Sequence, residues 1–256
     1  MDQRPIDTLT PGAIYTELYF RETRLANASA FLWREKDSVY LISNWHNFAG
    51  RDPESEKTIS DTGGIPDRVQ CTLWKHEEPG GKPSVGDIVN WKTYSFPLVD
   101  DHLTPLFLEN PLRKRGVDIA ALPLNLPSEV VATYVNEVEF SKMPLRAGTD
   151  VFIVGYPLGL LFDAPFPVWK RGSIASEPNA PIHGLKKVLI DTATRPGMSG
   201  SFVIAQDIIA FGARRAFLGI YSGRYVGSHE QDAQLGIAWH RDAIDETVRN
   251  GVRASV

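Results

Sequence analysis

The sequence predicts an all-β protein made of two β-rich halves, with one short helix at its carboxyl end. Three observations carry this expectation. Short apolar or β-branched runs bounded by Gly, Pro, Asn and Asp recur along both halves. A polar stretch containing Pro127 and Pro144 separates the two sets of runs. Helical spacing of apolar residues is found only near the end, where Ile244 and Val248 fall four apart between Arg241 and Asn250. The expected organisation is an amino-terminal β-domain over 1–125 with loop-rich insertions at 51–115, a connection over 126–148, and a carboxyl-terminal β-domain over 149–256.

The first half opens with a meander. Ala13 to Phe20, Ser29 to Trp33 and Ser38 to Ser43 are the strand candidates, divided by polar turn residues. The third run leads into L-I-S-N-W-H-N-F, which places His46 just past a buried strand end, with Gly50 closing the segment. From Arg51 to Arg115 the chain is the least regular, with D-P-E-S-E-K, D-T-G-G-I-P-D and H-E-E-P-G-G-K-P supplying loop chemistry. Strands are expected there over Arg68 to Trp74 and Ile88 to Phe96, the second with Val89, Trp91, Thr93 and Ser95 on one face. The basic run Arg113 to Arg115 reads as a solvated turn. G-V-D-I-A-A-L-P-L then puts Asp118 directly before the apolar strand Ile119 to Leu124, where a carboxylate needs either a donor or solvent.

The second half repeats the pattern. Its strand candidates are V-F-I-V-G-Y-P-L-G, V-W-K-R-G-S-I-A-S, K-V-L-I-D-T-A, S-F-V-I-A, A-F-L-G-I-Y-S-G-R and Q-L-G-I-A-W. Six short strands with Gly or Pro punctuation suit a closed barrel or a sandwich. Gly251 is placed to stop the terminal helix.

Composition narrows the function classes. The 256 residues carry a net charge of -4 with both signs interspersed, so no basic face points to nucleic acid and no polybasic segment to a lipid surface. Cys71 is the single cysteine, which excludes an internal disulfide framework and fits a reducing, cytoplasmic setting; it reads as an inert buried residue. No apolar run has the length of a signal-peptide core or a membrane span. His76, His102, His183, His229 and His240 do not cluster at metal-ligand spacing, and no metal or cofactor is expected. His240 lies closest in sequence to the strands of the reactive region.

That region is I-D-T-A-T-R-P-G-M-S-G-S-F-V-I, from Ile190 to Ile204. Gly197 and Gly200 flank Ser199, Pro196 stiffens the approach, and apolar runs lie on both sides, so Ser199 sits at a tight bend between strands. Backbone N–H groups around such a bend can converge on an oxyanion. A serine in a Gly-rich turn, a histidine at a sheet rim and an aspartate before a strand each have a purely structural reading too. Together, however, His46, Asp118 and Ser199 stand in the chain order of one of the known hydrolytic triads.

On these segments the chain resembles the trypsin-like serine peptidases, and more closely the protease domain of the bacterial high-temperature-requirement proteases. L-I-S-N-W-H is similar to I-V-T-N-N-H of that family, V-F-I-V-G-Y-P-L-G to its strand ending in G-x-P-x-G, and I-D-T-A-T-R-P-G-M-S-G-S to T-D-A-A-I-N-P-G-N-S-G-G. F-L-G-I-Y-S and L-G-I-A-W-H-R-D-A-I extend the likeness over residues 13 to 250, leaving 51–115 unmatched.

The resemblance implies two six-stranded antiparallel β-barrels with His46 and Asp118 on the first and Ser199 on the second. It implies a serine endopeptidase working through a covalent acyl-enzyme on protein or peptide substrates. His46 would be the base, Asp118 its orienting partner, and the N–H groups of Gly197 and Ser199 the oxyanion hole. A pocket floor at Ala193 and a wall from Gly219, Ile220, Tyr221 and Ser222 imply a small or apolar residue before the cut. Departures from the family pattern also matter. Met198 stands where the digestive enzymes have an aspartate, and their amino-terminal motif is missing, so activation by terminal cleavage is not expected. Ser201 replaces the second glycine after the nucleophile, and no peptide-binding PDZ domain is expected. Two rivals remain: an esterase of the α/β-hydrolase type drawing on Asp232 and His240, and a latent or non-catalytic interaction module that needs an activating protein partner.

Overall fold

A computed structural model describes residues 6–75, 90–193, 195–210, 212–224 and 235–255. The chain runs through β1 (Ala13–Phe20), β2 (Thr23–Glu35), β3 (Ser38–Ser43), the short helix α1 (Trp45–Ala49), β4 (Arg68–Lys75), β5 (Asn90–Pro97), β6 (Leu108–Glu109) and β7 (Ala120–Leu124). It continues with β8 (Asp150–Gly155), β9 (Val168–Ile174), β10 (Lys187–Asp191), β11 (Phe202–Ile209), β12 (Gly212–Arg224), β13 (Leu235–His240), helix α2 (Arg241–Asn250) and β14 (Val252–Arg253). The expectation at Ile88 and Val89 lies outside the described residues, as do those at His76, His229 and Asp232.

The second half forms a closed six-stranded barrel in the order β10-β13-β12-β11-β8-β9, antiparallel throughout. The first half is an antiparallel sheet of eight strands, β14-β6-β7-β3-β2-β1-β4-β5. Two of these, β6 and β14, are two-residue strands with no periodicity for a sequence to display. β14 is contributed by the last residues of the chain, pairing Val252 with Glu109. Among the described residues no ladder joins the sheet's outer strands, so this half differs from the second in closure.

Strand alternation sends side chains to two sides. On β2, Ala30 and Leu32 join Leu18, Leu41, Phe48, Val69 and Leu122 inside the first half. Phe31 and Trp33 point the other way, into a core shared with Phe202, Ile204, Phe217, Ile220 and Trp239 of the barrel. Edge-to-face contacts of Phe31 with Phe202 and Phe217, centroids 6.0 and 6.2 Å apart, fasten the halves together. The barrel interior holds Val151, Ile153, Ile190, Met198, Val203, Leu218 and Tyr221. Buried Ile244 and Val248 seat α2 against the shared core, each contributing roughly 1.5–3 kcal/mol by burial. Asn110 donates to the Ala243 carbonyl and to Thr247 Oγ1 at 3.0 and 2.9 Å, tying α2 to the first half.

Two expectations need amending. The basic run Arg113 to Arg115 is a 3₁₀ turn, yet Arg113 is buried: its guanidinium lies 3.5 Å from the Trp45 ring centroid and donates to the Pro53 carbonyl at 2.8 Å. An aromatic face and a carbonyl replace the water it gives up. The five-residue helix carrying His46 was not anticipated, being too short to show a period. Cys71 is fully buried, and burial pushes its thiol pKa up. Among the described residues no helix is long and apolar enough to cross a membrane.

Candidate active site

His46 is mounted where β3 turns into α1. Trp45 and Phe48 are buried and anchor the helix, and Gly50 ends it at φ 63°, donating to the His46 carbonyl at 2.9 Å. Asn44 reaches across to the Asp118 carbonyl at 2.7 Å, pinning β3 to the segment before β7. Asp118 then meets His46 twice: Oδ1 accepts the backbone N–H at 2.9 Å, and Oδ2 lies 2.6 Å from Nδ1. Oδ2 also accepts the Ser222 hydroxyl at 2.6 Å. A buried carboxylate needs such partners, and three converge on this one.

The short contact assigns the ring proton to Nδ1 and leaves Nε2 as the acceptor of the neutral imidazole. Burial alone would lower the His46 pKa, but the charge of Asp118 and its hydrogen bond outweigh it, so the net shift is upward. For Asp118 burial pushes upward, whereas the His46 charge and the hydrogen bonds from His46 and Ser222 hold the carboxyl below its ordinary value. The two directions agree with one ion-pair-like unit.

Ser199 sits in the turn before β11. Gly197 and Gly200 adopt φ 91° and 87°, which L side chains rarely take. A Cβ on Gly200 would also collide with the Ser29 carbonyl. Ser29 of β2 is the stake for this turn. Its N–H donates to the Ser199 carbonyl at 2.9 Å, its Oγ to the Gly197 carbonyl at 2.8 Å, and its carbonyl accepts Ser43 Oγ at 2.9 Å. The sequence signal was present, a single hydroxyl inside the buried run A-S-A-F-L-W, but its partner lay 170 residues away in sequence. Ser201 is fully buried, and the missing side chain of Gly155 makes room for its hydroxyl.

Within the turn, Met198 N–H donates to the Arg195 carbonyl, Gly200 N–H to Tyr221 and Ser201 N–H to Met198, at 3.3, 3.0 and 3.0 Å. Among the described residues the N–H groups of Gly197 and Ser199 have no such acceptor. Ser199 Oγ donates to the Ser222 carbonyl at 3.4 Å, and no hydrogen bond joins it to His46 among the described residues. His46 and Ser199 nonetheless line two cavities in common, of about 440 and 740 Å³. Asp118 and Ser222 line the larger one.

The expected pocket residues divide. Ser222 is at the cavity, but its hydroxyl serves Asp118. Ile220 is buried in the core between the halves and Tyr221 in the barrel interior, its ring over Gly236, while Gly219 packs tightly against the Trp239 carbonyl. Ala193 is exposed and lines neither cavity. Along β12 side chains alternate in direction, and the ladder with β13 slips between Tyr221 and Gly223, so neighbours in sequence face different surroundings. His240 ends β13 away from both cavities, half-buried, with burial lowering its pKa. Among the described residues no group of three or more His, Cys, Asp or Glu could hold a metal ion.

No protein-family model matches the chain, and no curated protein does. Solved structures do. The thermostable serine protease AL20 from an extremophilic microorganism superposes with a TM-score of 0.51 at 13% identity, covering 94% of this chain and 96% of that one. The chain has the trypsin-like serine protease fold. At 13% identity the likeness is one of fold. The active form of the Rv3671c protease from M. tuberculosis (TM-score 0.47, 16% identity, 98% and 89% covered) and the serine endoprotease from Yersinia pestis (0.49, 13%, 95% and 64%) are also similar. In the trypsin-like fold of this chain, the eight-stranded sheet brings His46 and Asp118, the barrel brings Ser199 and Ser222, and the cleft lies between them. An α/β-hydrolase architecture is ruled out by the antiparallel sheets.

Proposed function

We propose that this protein is a serine endopeptidase that cleaves protein or peptide substrates through His46, Asp118 and Ser199. The observation carrying the proposal is the buried Asp118 carboxylate, which fixes His46 through both backbone and ring while that ring opens onto the cavity shared with Ser199. His46 Nε2 takes the proton from Ser199 Oγ as it attacks the carbonyl carbon, then delivers it to the departing amine. The acyl group remains on Ser199 as an ester until water, deprotonated by the same ring, releases it. Gly197 and Ser199 N–H groups receive the oxyanion, each worth roughly 3–4 kcal/mol in the transition state. The chemistry calls for no metal or organic cofactor. A small or apolar residue before the cut is favoured because the Tyr221 ring and Met198 fill the barrel interior behind the turn.

One observation favours a second reading, a latent enzyme. Ser199 Oγ is engaged with the Ser222 carbonyl rather than with His46, so an activating partner would have to re-aim it. The turn is held from outside by Leu158, whose N–H donates to the Pro196 carbonyl at 2.6 Å in an exposed apolar loop. The two readings separate in a cleavage assay of the purified protein on unfolded protein and quenched peptides, with Ser199→Ala and His46→Ala as controls. Cleavage lost in both variants supports the active peptidase; none by the wild type supports latency or a non-catalytic role.

A further inference from the structure

Lys187 of β10 stands at the wall of the larger cavity, the one that holds His46, Asp118 and Ser199. Its neighbour Lys186 is paired with Asp242 at 2.7 Å, whereas Lys187 is half-buried and, among the described residues, has no carboxylate partner. The Lys187 ammonium lies 5.3 Å from the centroid of the Trp239 ring, across the ladder between β10 and β13. Trp239 lines the same cavity and is 3% exposed, and its indole N–H is buried without an acceptor among the described residues. A half-buried ammonium and a buried N–H, neighbours on one wall and both without an acceptor, call for an anion that arrives from outside.

The other charges of the cavity do not fill that role. Asp52 and Glu54 line it from the loop after α1. Asp52 turns Oδ1 back on its own loop, accepting the N–H groups of Glu54 and Ser55 and the Ser55 hydroxyl. Asp118 is taken up by His46 and Ser222. Glu54 is exposed and acts on Lys187 through its charge alone, which offsets part of the lowering of the Lys187 pKa by burial. The cavity is thus polarised, acidic on the side of the first half and cationic on the side of the barrel, so an acidic group entering it is drawn to β10. A carboxylate has an oxygen for each of the two donors there. We propose that Lys187 is a specificity-determining residue which, with Trp239, binds the side-chain carboxylate of an aspartate or glutamate that the substrate carries at one fixed position near the cleaved bond. The inference rests on the peptidase reading and adds to it a substrate class, acidic segments.

The test uses quenched peptides that share one cleavable core and carry glutamate, glutamine or lysine in turn at each position flanking the cut. kcat/KM is measured for wild type, Lys187→Met, Lys187→Glu and Trp239→Phe. In the wild type, glutamate exceeds glutamine by about tenfold at one position, the strength of a single hydrogen bond to a charged group. That ratio falls to about one in Lys187→Met and falls in part in Trp239→Phe, and in Lys187→Glu the same position favours lysine. A merely structural role would lower all peptides together and leave the ratio unchanged. A glutamate preference that survives Lys187→Met overturns the inference, as does a wild-type preference for lysine, which would assign the cavity to Asp52 and Glu54. Labelling of wild-type Ser199 by a fluorophosphonate without any glutamate-favoured position overturns this inference alone. A wild type that neither labels nor cleaves overturns the peptidase reading and this inference with it.

Discussion

Replacing Asp118 with asparagine probes the site at its most constrained atom. Oδ1 accepts the His46 backbone N–H at 2.9 Å, and Oδ2 faces both His46 Nδ1 and the Ser222 hydroxyl at 2.6 Å. An asparagine must place its NH₂ on one side or the other. On the Oδ1 side two donors would face each other in a buried site, at a cost of about 1–3 kcal/mol for each stranded group. On the Oδ2 side the NH₂ can donate to Nδ1 and to Ser222 Oγ, so this orientation wins. The imidazole proton then moves to Nε2, which can no longer receive the proton of Ser199. Asp118→Asn is therefore expected to lower kcat/KM near neutral pH by about 10⁴-fold, or about 5.4 kcal/mol of transition-state stabilisation. The fall should lie in kcat, with KM little changed, because no substrate contact is removed. Steady-state hydrolysis of a quenched peptide measures it, with circular dichroism confirming the fold. A loss below about tenfold in a folded Asp118→Asn protein would refute the assigned proton path.

Three further outcomes follow from the same geometry. Activity requires neutral His46, whose pKa is raised, so kcat/KM should climb with pH through an acid limb centred above the ordinary 6.5; a midpoint below 6.5 would count against the Asp118 pairing. For stability, the raised His46 pKa contributes fully below 6.5 and is lost as pH rises through the folded value, whereas the depressed Asp118 contributes above 3.8 and is lost as pH falls through its folded value. The unfolding free-energy difference between wild type and His46→Gln should thus be largest in mildly acidic solution and shrink on the alkaline side. Gly200→Ala should lose roughly 1–3 kcal/mol or more in urea denaturation, from φ 87° and the collision with the Ser29 carbonyl; a smaller loss would mean the turn relaxes freely. Tyr221→Leu should broaden acceptance of large side chains before the cut in a peptide panel, since its ring fills the barrel interior over Gly236; an unaltered profile would place that pocket elsewhere.

The barrel was legible because each of its six strands is a short apolar run with a Gly, Pro or polar boundary, and α2 because Ile244 and Val248 mark its buried face. β2 extends from Thr23, six residues before its apolar portion at Ser29, since Thr23 to Asn27 pair with β1 while their side chains remain largely outside the core. α1, β6 and β14 left no pattern, being two to five residues long. At the site, residue type and order were enough to single out His46, Asp118 and Ser199. Ser29 was not, because its significance comes from contacts with the turn around Gly197, far away in sequence. Ser222 reads as pocket wall along a strand and does line the larger cavity; its contact with Asp118 was not legible, because it lies at the slip in register between β12 and β13 and its partner is on the other half. Arg113 looked solvated beside two other basic residues, and only the fold brings Trp45 beneath it.

The central claim is that Ser199 is a nucleophile made reactive by His46. Its most direct test is reaction of the purified protein with a fluorophosphonate, followed by peptide mapping, in wild type, Ser199→Ala and His46→Ala. The structure predicts a single adduct on Ser199 that forms in the wild type and is slowed at least a hundredfold, on the order expected for loss of a general base, without His46. A folded wild-type protein that takes up no label, or labels equally fast without His46, would contradict it.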